Sequence, residues 1–400
     1  MAILSVNAGS SSLKFAIYPN KDHSVLPCML SGNFQGLEPG GTAQLQYKIK
    51  GQVFNLLLEH AEQDPFLSAL TALKKLLLSL PDLPPITAVS HRIVHGGAAH
   101  DQSVVATPEI LRELEKLNSL APLHQPHNLD GVKAFEKVFP NIPQILCFDT
   151  AFHRTVPSLE SAFALPKALT DQHIRKYGFH GLSYQFIMSQ LLVHSKKARQ
   201  RVLMAHLGNG ASLCAAKEAQ SLATTMGFSA LDGLMMGTRA GSLDAGVLLY
   251  LMEQGYTHDQ LETLLYKKSG LLGVSTLSAD MRTLRDSNSP LAKTAIDLFT
   301  HRIVRETGAM TACMGGLDVL AFSGGIGEND RVLRSEVCEK LSWLNISIDE
   351  TLNASAASQS VAQISSQDSA VQVWVIQTDE GMVAAKDAAA LLDKSENQLE

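Results

Sequence analysis

Three short glycine-rich runs carry the first chemical signal in this sequence: "NAGSSS" (residues 7–12), "GNGAS" (208–212) and "GGIGEN" (324–329). Each follows an apolar run with strand character. Residues this small let backbone N–H groups approach phosphate oxygens and form an anion nest. A tight turn also needs glycine, so one such run carries little weight; three, all after strands, point to nucleotide binding. Neither GxxxxGK[ST] nor GxGxxG occurs, which excludes a P-loop and leaves a Rossmann dinucleotide site unsupported.

Two arginines stand among small residues, Arg92 in "SHRIVHGG" and Arg239 in "MGTRAGS". Their planar forks suit the clamping of carboxylate or phosphate. Asp149, closing the apolar "ILCFD", and His180, in "YGFHGLSY", complete a candidate cluster. Taken alone, His180 reads better as a partly buried, hydrogen-bonded histidine. "HRIVH" has the histidine spacing of a zinc-protease helix, but Arg92 stands where the catalytic Glu would be. That segment reads as strand and loop, so no zinc role is expected for His91 and His95.

The elements that must position these residues alternate between strand and helical periodicity, an α/β pattern. "AILSV" and "LKFAIY" read as strands joined by the first glycine-serine run, and "IPQILCFD" as a buried strand ending on Asp149. "DPFLSALTALKKLLLSL" and "TPEILRELEKLNSLAP" read as helices with capping starts. Shifted by about 200 positions, "RVLMAHLGNGASLCAAK" overlays the opening, Ser12-Leu13 falling on Ser212-Leu213. "VQVWVIQTDEGMVAAK" places Asp379 at a strand end much as Asp149 is placed. Two similar α/β domains related by duplication are therefore expected. Residues 345–370, rich in Ser, Ala and Gln, read as the least structured stretch, a surface excursion.

Four hundred residues exceed one comfortable core, which also favours two domains. A net charge of −6 without basic blocks argues against nucleic acid as a partner. Five cysteines, with no CxxC pair, suit reduced thiols better than a disulfide framework. The opening lacks a basic n-region and a long apolar h-region, and no apolar run approaches the roughly 20 residues of a membrane span. No membrane association and a cytoplasmic location are expected.

In order, "NAGSSSLKF", "SHRIVHGG", "FDTAFH", "YGFHGLSY", "AHLGNGAS", "MGTRAGSLD", "SGGIGEN" and "TDEGMVAAK" resemble the motifs of the acetate kinase family of acyl-phosphate-forming kinases, across essentially the whole chain. The resemblance implies a duplicated actin-like (ribonuclease H-like) fold with the active site in an interdomain cleft, and a homodimer. The first domain would comprise residues 1–150 plus 381–400 and the second 151–380. The reaction implied is reversible, direct in-line phosphoryl transfer from ATP to acetate, giving acetyl phosphate and ADP. Mg²⁺ would be the cofactor, with Mn²⁺ able to replace it.

Carried over by motif, Asn7 and Glu380 would serve the metal and Lys14 the nucleotide phosphates. Arg92 would hold the substrate carboxylate, with Asp149 as the catalytic carboxylate. His180 and Arg239 would stabilise the transferring phosphoryl group. His206, Leu207, Gly208, Asn209 and Gly210, then Asp280, Met281 and Arg282, then Gly325, Ile326, Gly327, Glu328 and Asn329 would bind ATP. Val94, Leu123, Phe179 and Ala230 would line the acyl pocket. Ala230, in "FSALDG", stands where the family commonly has proline, and "GLSY" follows His180 in place of "GTSH". Substrate chain length is thereby left open, and propionate is expected as a further acceptor.

A carboxylic acid is already ionised at neutral pH. The reaction therefore needs relief of anion repulsion rather than a strong base, which suits Asp149 to positioning a metal or a partner residue. An actin-like nucleotide switch would need no carboxylate clamp, and a sugar kinase would need polar groups where these pocket positions are apolar.

Overall fold

Strand β1 (Ala2–Ala8) turns through residues 9–11 into antiparallel β2 (Ser12–Lys21). β1 is buried on both faces because both are covered. Leu4, Val6 and Ala8 pack with Ala69, Leu70 and Leu73 of the helix Pro65–Leu78. Tyr18, paired with Ile3, instead faces the start of the C-terminal helix Glu380–Glu396, where its hydroxyl donates to Asp379 Oδ1 at 2.5 Å. Asp64 caps the first of these helices, accepting from Leu67 N at 2.9 Å ahead of Pro65.

The computed structural model describes every residue except 23, 39, 59–63 and 397–400, with 395 and 396 described by their backbone alone. The last residues of the expected first domain thus lie outside the described residues. The described residues divide into two compact units, Met1–Ala151 with Asp379–Glu400, and Phe152–Thr378.

In the first unit the remaining strands are β3 (Ser24–Val25), β4 (Leu30–Gln35), β5 (Gln44–Ile49), β6 (Gln52–Leu57), β7 (Ile86–Ile93), β8 (Val104–Val105) and β9 (Gln144–Phe148). They form one sheet in the order β6-β5-β4-β2-β1-β7-β9-β8, with β3 beside β2. The second unit holds β10 (Val202–Leu207), β11 (Ala211–Lys217), β12 (Gln220–Thr224), β13 (Val319–Ser323), β14 (Val361–Gln363) and β15 (Gln372–Ile376), in the order β12-β11-β10-β13-β15-β14.

The second order repeats the run β4-β2-β1-β7-β9-β8, strand for strand and in the same chain order. Every neighbouring pair keeps its sense: β1 with β7 and β10 with β13 are parallel, as are β7 with β9 and β13 with β15. The other neighbouring pairs are antiparallel in both sheets. Duplication is therefore written in the topology. The single offset of 200 does not hold along both strands of the hairpin, however. Leu13 lies across from Ala8, whereas Leu213 lies across from Ala205. The last cross-strand pair is Ala8 with Leu13 in the first hairpin and Leu207 with Ala211 in the second, which leaves four residues between partners in one and three in the other.

Residues 345–370 are also more ordered than their composition predicts. They contribute the helix Glu350–Ser355, capped by Asp349, and the edge strand β14. Their anchor is polar. Fully buried Asn353 accepts from Arg334 Nε at 2.7 Å through its side chain and from Nη2 at 2.9 Å through its carbonyl. Hydrogen bonds to a distant buried arginine leave no apolar periodicity to read.

Candidate active site

The residues singled out in the sequence fall into two sets, one in each unit. In the first unit, β7 and β9 are parallel neighbours with Arg92 in register with Cys147. Asp149, the next residue after β9, donates its N–H to Ile93 O at 3.0 Å. Their carboxyl ends thus set Arg92 and Asp149 side by side, where α/β sheets generally bind ligands. Arg92 Nε and Nη2 grip the Asp149 carboxylate at 2.6–3.1 Å. Glu380, first residue of the C-terminal helix, brings a second carboxylate to within 3.6 Å of Arg92 Nε. The Asp149 side chain is 1% exposed, that of Arg92 22% and that of Glu380 23%. Burial opposes the guanidinium charge, but Asp149 and Glu380 outweigh it and hold Arg92 firmly protonated. Among the described residues, Arg92 Nη1 has no hydrogen-bond acceptor.

Around this triad, Asn7 is half-buried on β1 and stands opposite exposed Lys14 on β2. Val94 is buried, its N–H donating to Asn128 Oδ1, while Leu123 is half-buried. His91 and His95 are buried, which pushes the pKa of each down to about 4 and makes them neutral core rings.

In the second unit, the β10–β11 turn places His206 opposite Ser212. His180 precedes the helix Gly181–His194 in the left-handed region, φ 59°, and its ring lies on that of His206 with centroids 4.4 Å apart. Arg239 Nη1 donates to Ala230 O at 2.6 Å. Its other amino group and His180 Nε2 converge on Gly210: a Cβ there would lie 2.8 Å from Arg239 Nη2 and 3.1 Å from His180 Nε2. Phe179 and Ala230 are buried.

A cavity of about 1050 Å³ lies beside these loops, lined in part by Gly208, Asn209, Met281, Gly325, Ile326 and Asn329. Asp280 and Arg282 also line it, paired at 2.6 Å, and Arg282's hydrogen bonds hold the Asp280 carboxyl below its usual range. Of the expected nucleotide residues, Lys14, His206, Leu207, Gly210, Gly327 and Glu328 are not in its lining. Glu328 is turned to the strand ends, accepting from Gly324 N at 2.9 Å and Thr378 N at 3.0 Å. Gly324 itself has φ +77° and presses on the Leu207 backbone, 2.7–2.9 Å from where a Cβ would stand, so only glycine fits.

Arg285 and Asp330 line the cavity but escaped the sequence reading. Arg285 pairs with Asp330 at 3.1 Å and Glu336 at 3.2 Å. The one available hint was its spacing three residues beyond Arg282 on the helix Met281–Arg285.

Among the described residues, no group of three or more His, Cys, Asp or Glu could hold a metal alone. Mg²⁺ asks for less, since it keeps several waters and takes one or two carboxylates plus substrate phosphates. The first unit offers that donor chemistry: the Glu380 and Asp149 carboxylates already flank one cation, Arg92, and Asn7, on the neighbouring strand β1, carries an amide oxygen. No helix of the described residues is long and apolar enough to cross a membrane.

A duplicated α/β fold with glycine loops at strand ends, two convergent donors and a carboxylate-held arginine defines an actin-like phosphotransferase. A family model described as the acetokinase family matches residues 2–386. The chain is 45% identical over 408 residues to an acetate kinase of Rhodopseudomonas palustris and 40% identical over 403 residues to one of Methylocella silvestris, covering 98% of each chain in both comparisons. Its fold matches a propionate kinase structure from Francisella tularensis with TM-score 0.88 at 34% identity, covering 96% of this chain and 98% of that one. It matches Porphyromonas gingivalis acetate kinase with TM-score 0.86 at 35% identity, covering 98% and 99%. The chain belongs to the acetokinase family, phosphotransferases with a carboxyl group as acceptor.

Proposed function

We propose that this enzyme moves the γ-phosphoryl group of ATP directly and reversibly onto acetate, in line, and that propionate is a second acceptor. The observation that carries the reading is the convergence of Arg239 Nη2 and His180 Nε2 on Gly210, beside the cavity of about 1050 Å³. Phosphoryl transfer concentrates negative charge on equatorial oxygens, and preorganised donors aimed at them lower the barrier. Arg92, held by Asp149 and Glu380, would offer Nη1 to the acetate carboxylate. Asp149 then acts by fixing Arg92, because an ionised acceptor has no proton to surrender. Mg²⁺, held by Asn7 and Glu380, would supply positive charge to the phosphates, and Mn²⁺ has the same oxygen preference. Lys14 would add charge for the nucleotide phosphates.

Trapping acyl phosphate with hydroxylamine tests this. Acetate and propionate are each expected to give hydroxamate, butyrate much less and glucose no product. Ala230 would leave room at the acyl pocket, and one methylene is worth about 1–3 kcal/mol, so acetate should lead propionate by no more than about 200-fold. No hydroxamate from any acid, with ATP bound, would overturn the reading. Comparable kcat/KM for acetate and butyrate would overturn the small pocket.

A homodimer is supported by the helix Ala245–Glu253, which buries none of its residues although Leu249, Tyr250 and Met252 are 58–64% exposed. Apolar surface of this kind marks an interface. Leu249→Asp with Tyr250→Asp is expected to give a monomer by sedimentation; an unchanged dimer would place the interface elsewhere. Cysteines without disulfides suit a reducing cytoplasm.

A further inference from the structure

Two buried hydroxyls behind His180 have no part in the transfer described so far. Ser212 Oγ lies 2.8 Å from His180 Nδ1, and the Tyr184 hydroxyl lies 2.5 Å from Ser212 Oγ. Tyr184 and Ser212 are fully buried and His180 is 7% exposed, so water does not compete for these bonds. We propose that Tyr184 and Ser212 form a proton-directing relay that holds His180 as the neutral Nε2–H tautomer, aimed as a hydrogen-bond donor at the transferring phosphoryl group.

Donor counting gives the direction. Burial raises the Tyr184 phenol well above its usual pKa, so it keeps its proton. A buried O–H must find an acceptor, and the oxygen within reach of this one is Ser212 Oγ. Ser212 thus accepts from Tyr184 and has a single proton of its own to give. That proton points to His180 Nδ1, which must then be the unprotonated nitrogen. The imidazole proton stays on Nε2, the nitrogen that meets Arg239 Nη2 around Gly210.

The same count disfavours imidazolium. A proton on Nδ1 would make Ser212 Oγ accept from both His180 and Tyr184, and the serine's own proton would then have to leave this line for another acceptor. Arg239 already places a guanidinium at the same point, and the His206 ring lies against the other side of His180. A second cation there would be repelled. Ser212 and Tyr184 are positioning residues, since they act through His180. What Nε2–H donates to rests on the phosphoryl-transfer reading; the tautomer itself does not.

The test uses the full-length protein labelled with ¹⁵N-histidine. Two-bond ¹H–¹⁵N spectra at neutral pH, with His180→Gln for assignment, should show His180 as the Nε2–H tautomer. Ser212→Ala should lose that single tautomer and lower kcat by about tenfold or more, with KM for ATP and acetate within a few fold, because one oriented donor is at stake. Ser212→Thr keeps the hydroxyl and should restore most of kcat. Tyr184→Phe should admit imidazolium in the spectrum, and it decides the matter should Ser212→Ala fail to fold. A wild-type His180 found as Nδ1–H or imidazolium, or a Ser212→Ala protein with wild-type tautomer and kcat, would overturn the relay. An intact tautomer in an enzyme that yields no hydroxamate would instead overturn the phosphoryl-transfer reading alone.

Discussion

An Arg92→Ala enzyme is expected to lose about 10²–10³-fold in kcat/KM for acetate while its KM for ATP barely changes. The expected loss of folding stability is about 3 kcal/mol. Both effects come from one geometry. Arg92 Nε and Nη2 hold Asp149 at 2.6–3.1 Å, and the Asp149 side chain is 1% exposed. Removing the guanidinium takes the forked partner from that buried carboxylate, and breaking a buried pair typically costs about 3–5 kcal/mol; the 22% exposure of the Arg92 side chain sets the low end. The Glu380 carboxylate, 3.6 Å from Arg92 Nε, loses its neighbouring cation as well. Substrate would then meet two carboxylates that have both lost the Arg92 cation.

Arg92→Lys restores charge without the fork, so it should recover stability better than activity. Urea unfolding and initial rates at varied acetate and ATP separate the two effects. An Arg92→Ala enzyme with wild-type kcat/KM for acetate would remove Arg92 from acetate recognition.

Gly210→Ala should do the reverse, leaving stability nearly intact and lowering kcat by about 10²-fold. The added methyl would stand 2.8 Å from Arg239 Nη2, closer than such atoms sit, and 3.1 Å from His180 Nε2, a tight contact. The atoms that must yield are the ends of side chains, so the fold adjusts at little cost. They are also the two donors assigned to the phosphoryl group. Arg239 is tied by Nη1 to Ala230 O at 2.6 Å, so displacing one nitrogen strains the other bond. Thermal unfolding should shift by only a few degrees, and nucleotide affinity should fall far less than kcat. A variant with wild-type kcat would show that these two groups do not act on the phosphoryl group.

Local order explains what could be read in advance. The strands of both sheets' centres announce themselves as apolar runs, because β1, β9 and β13 are buried on both faces. The helix starts at Asp64 and Thr107 are one-residue decisions, an acceptor side chain followed by proline. Arg285 was invisible for the opposite reason. A surface arginine and one lining a cavity look alike until the partners, Asp330 and Glu336, are placed from 45 and 51 residues away.

From the sequence by itself follow the α/β class, the repeated strand–loop–strand unit, the glycine loops and the residue types able to receive anions, because each depends on a few adjacent residues. Tertiary structure alone decides the rest. Arg92 meets Asp149 because parallel β7 and β9 end together, although 57 residues separate them. Tyr184, Ser212 and His180 fall into one line because the helix after His180 packs behind the β10–β11 turn. Which nitrogen of a histidine bears its proton is set by hydrogen-bond partners brought in through space, and nothing in the spacing of residues along the chain specifies them.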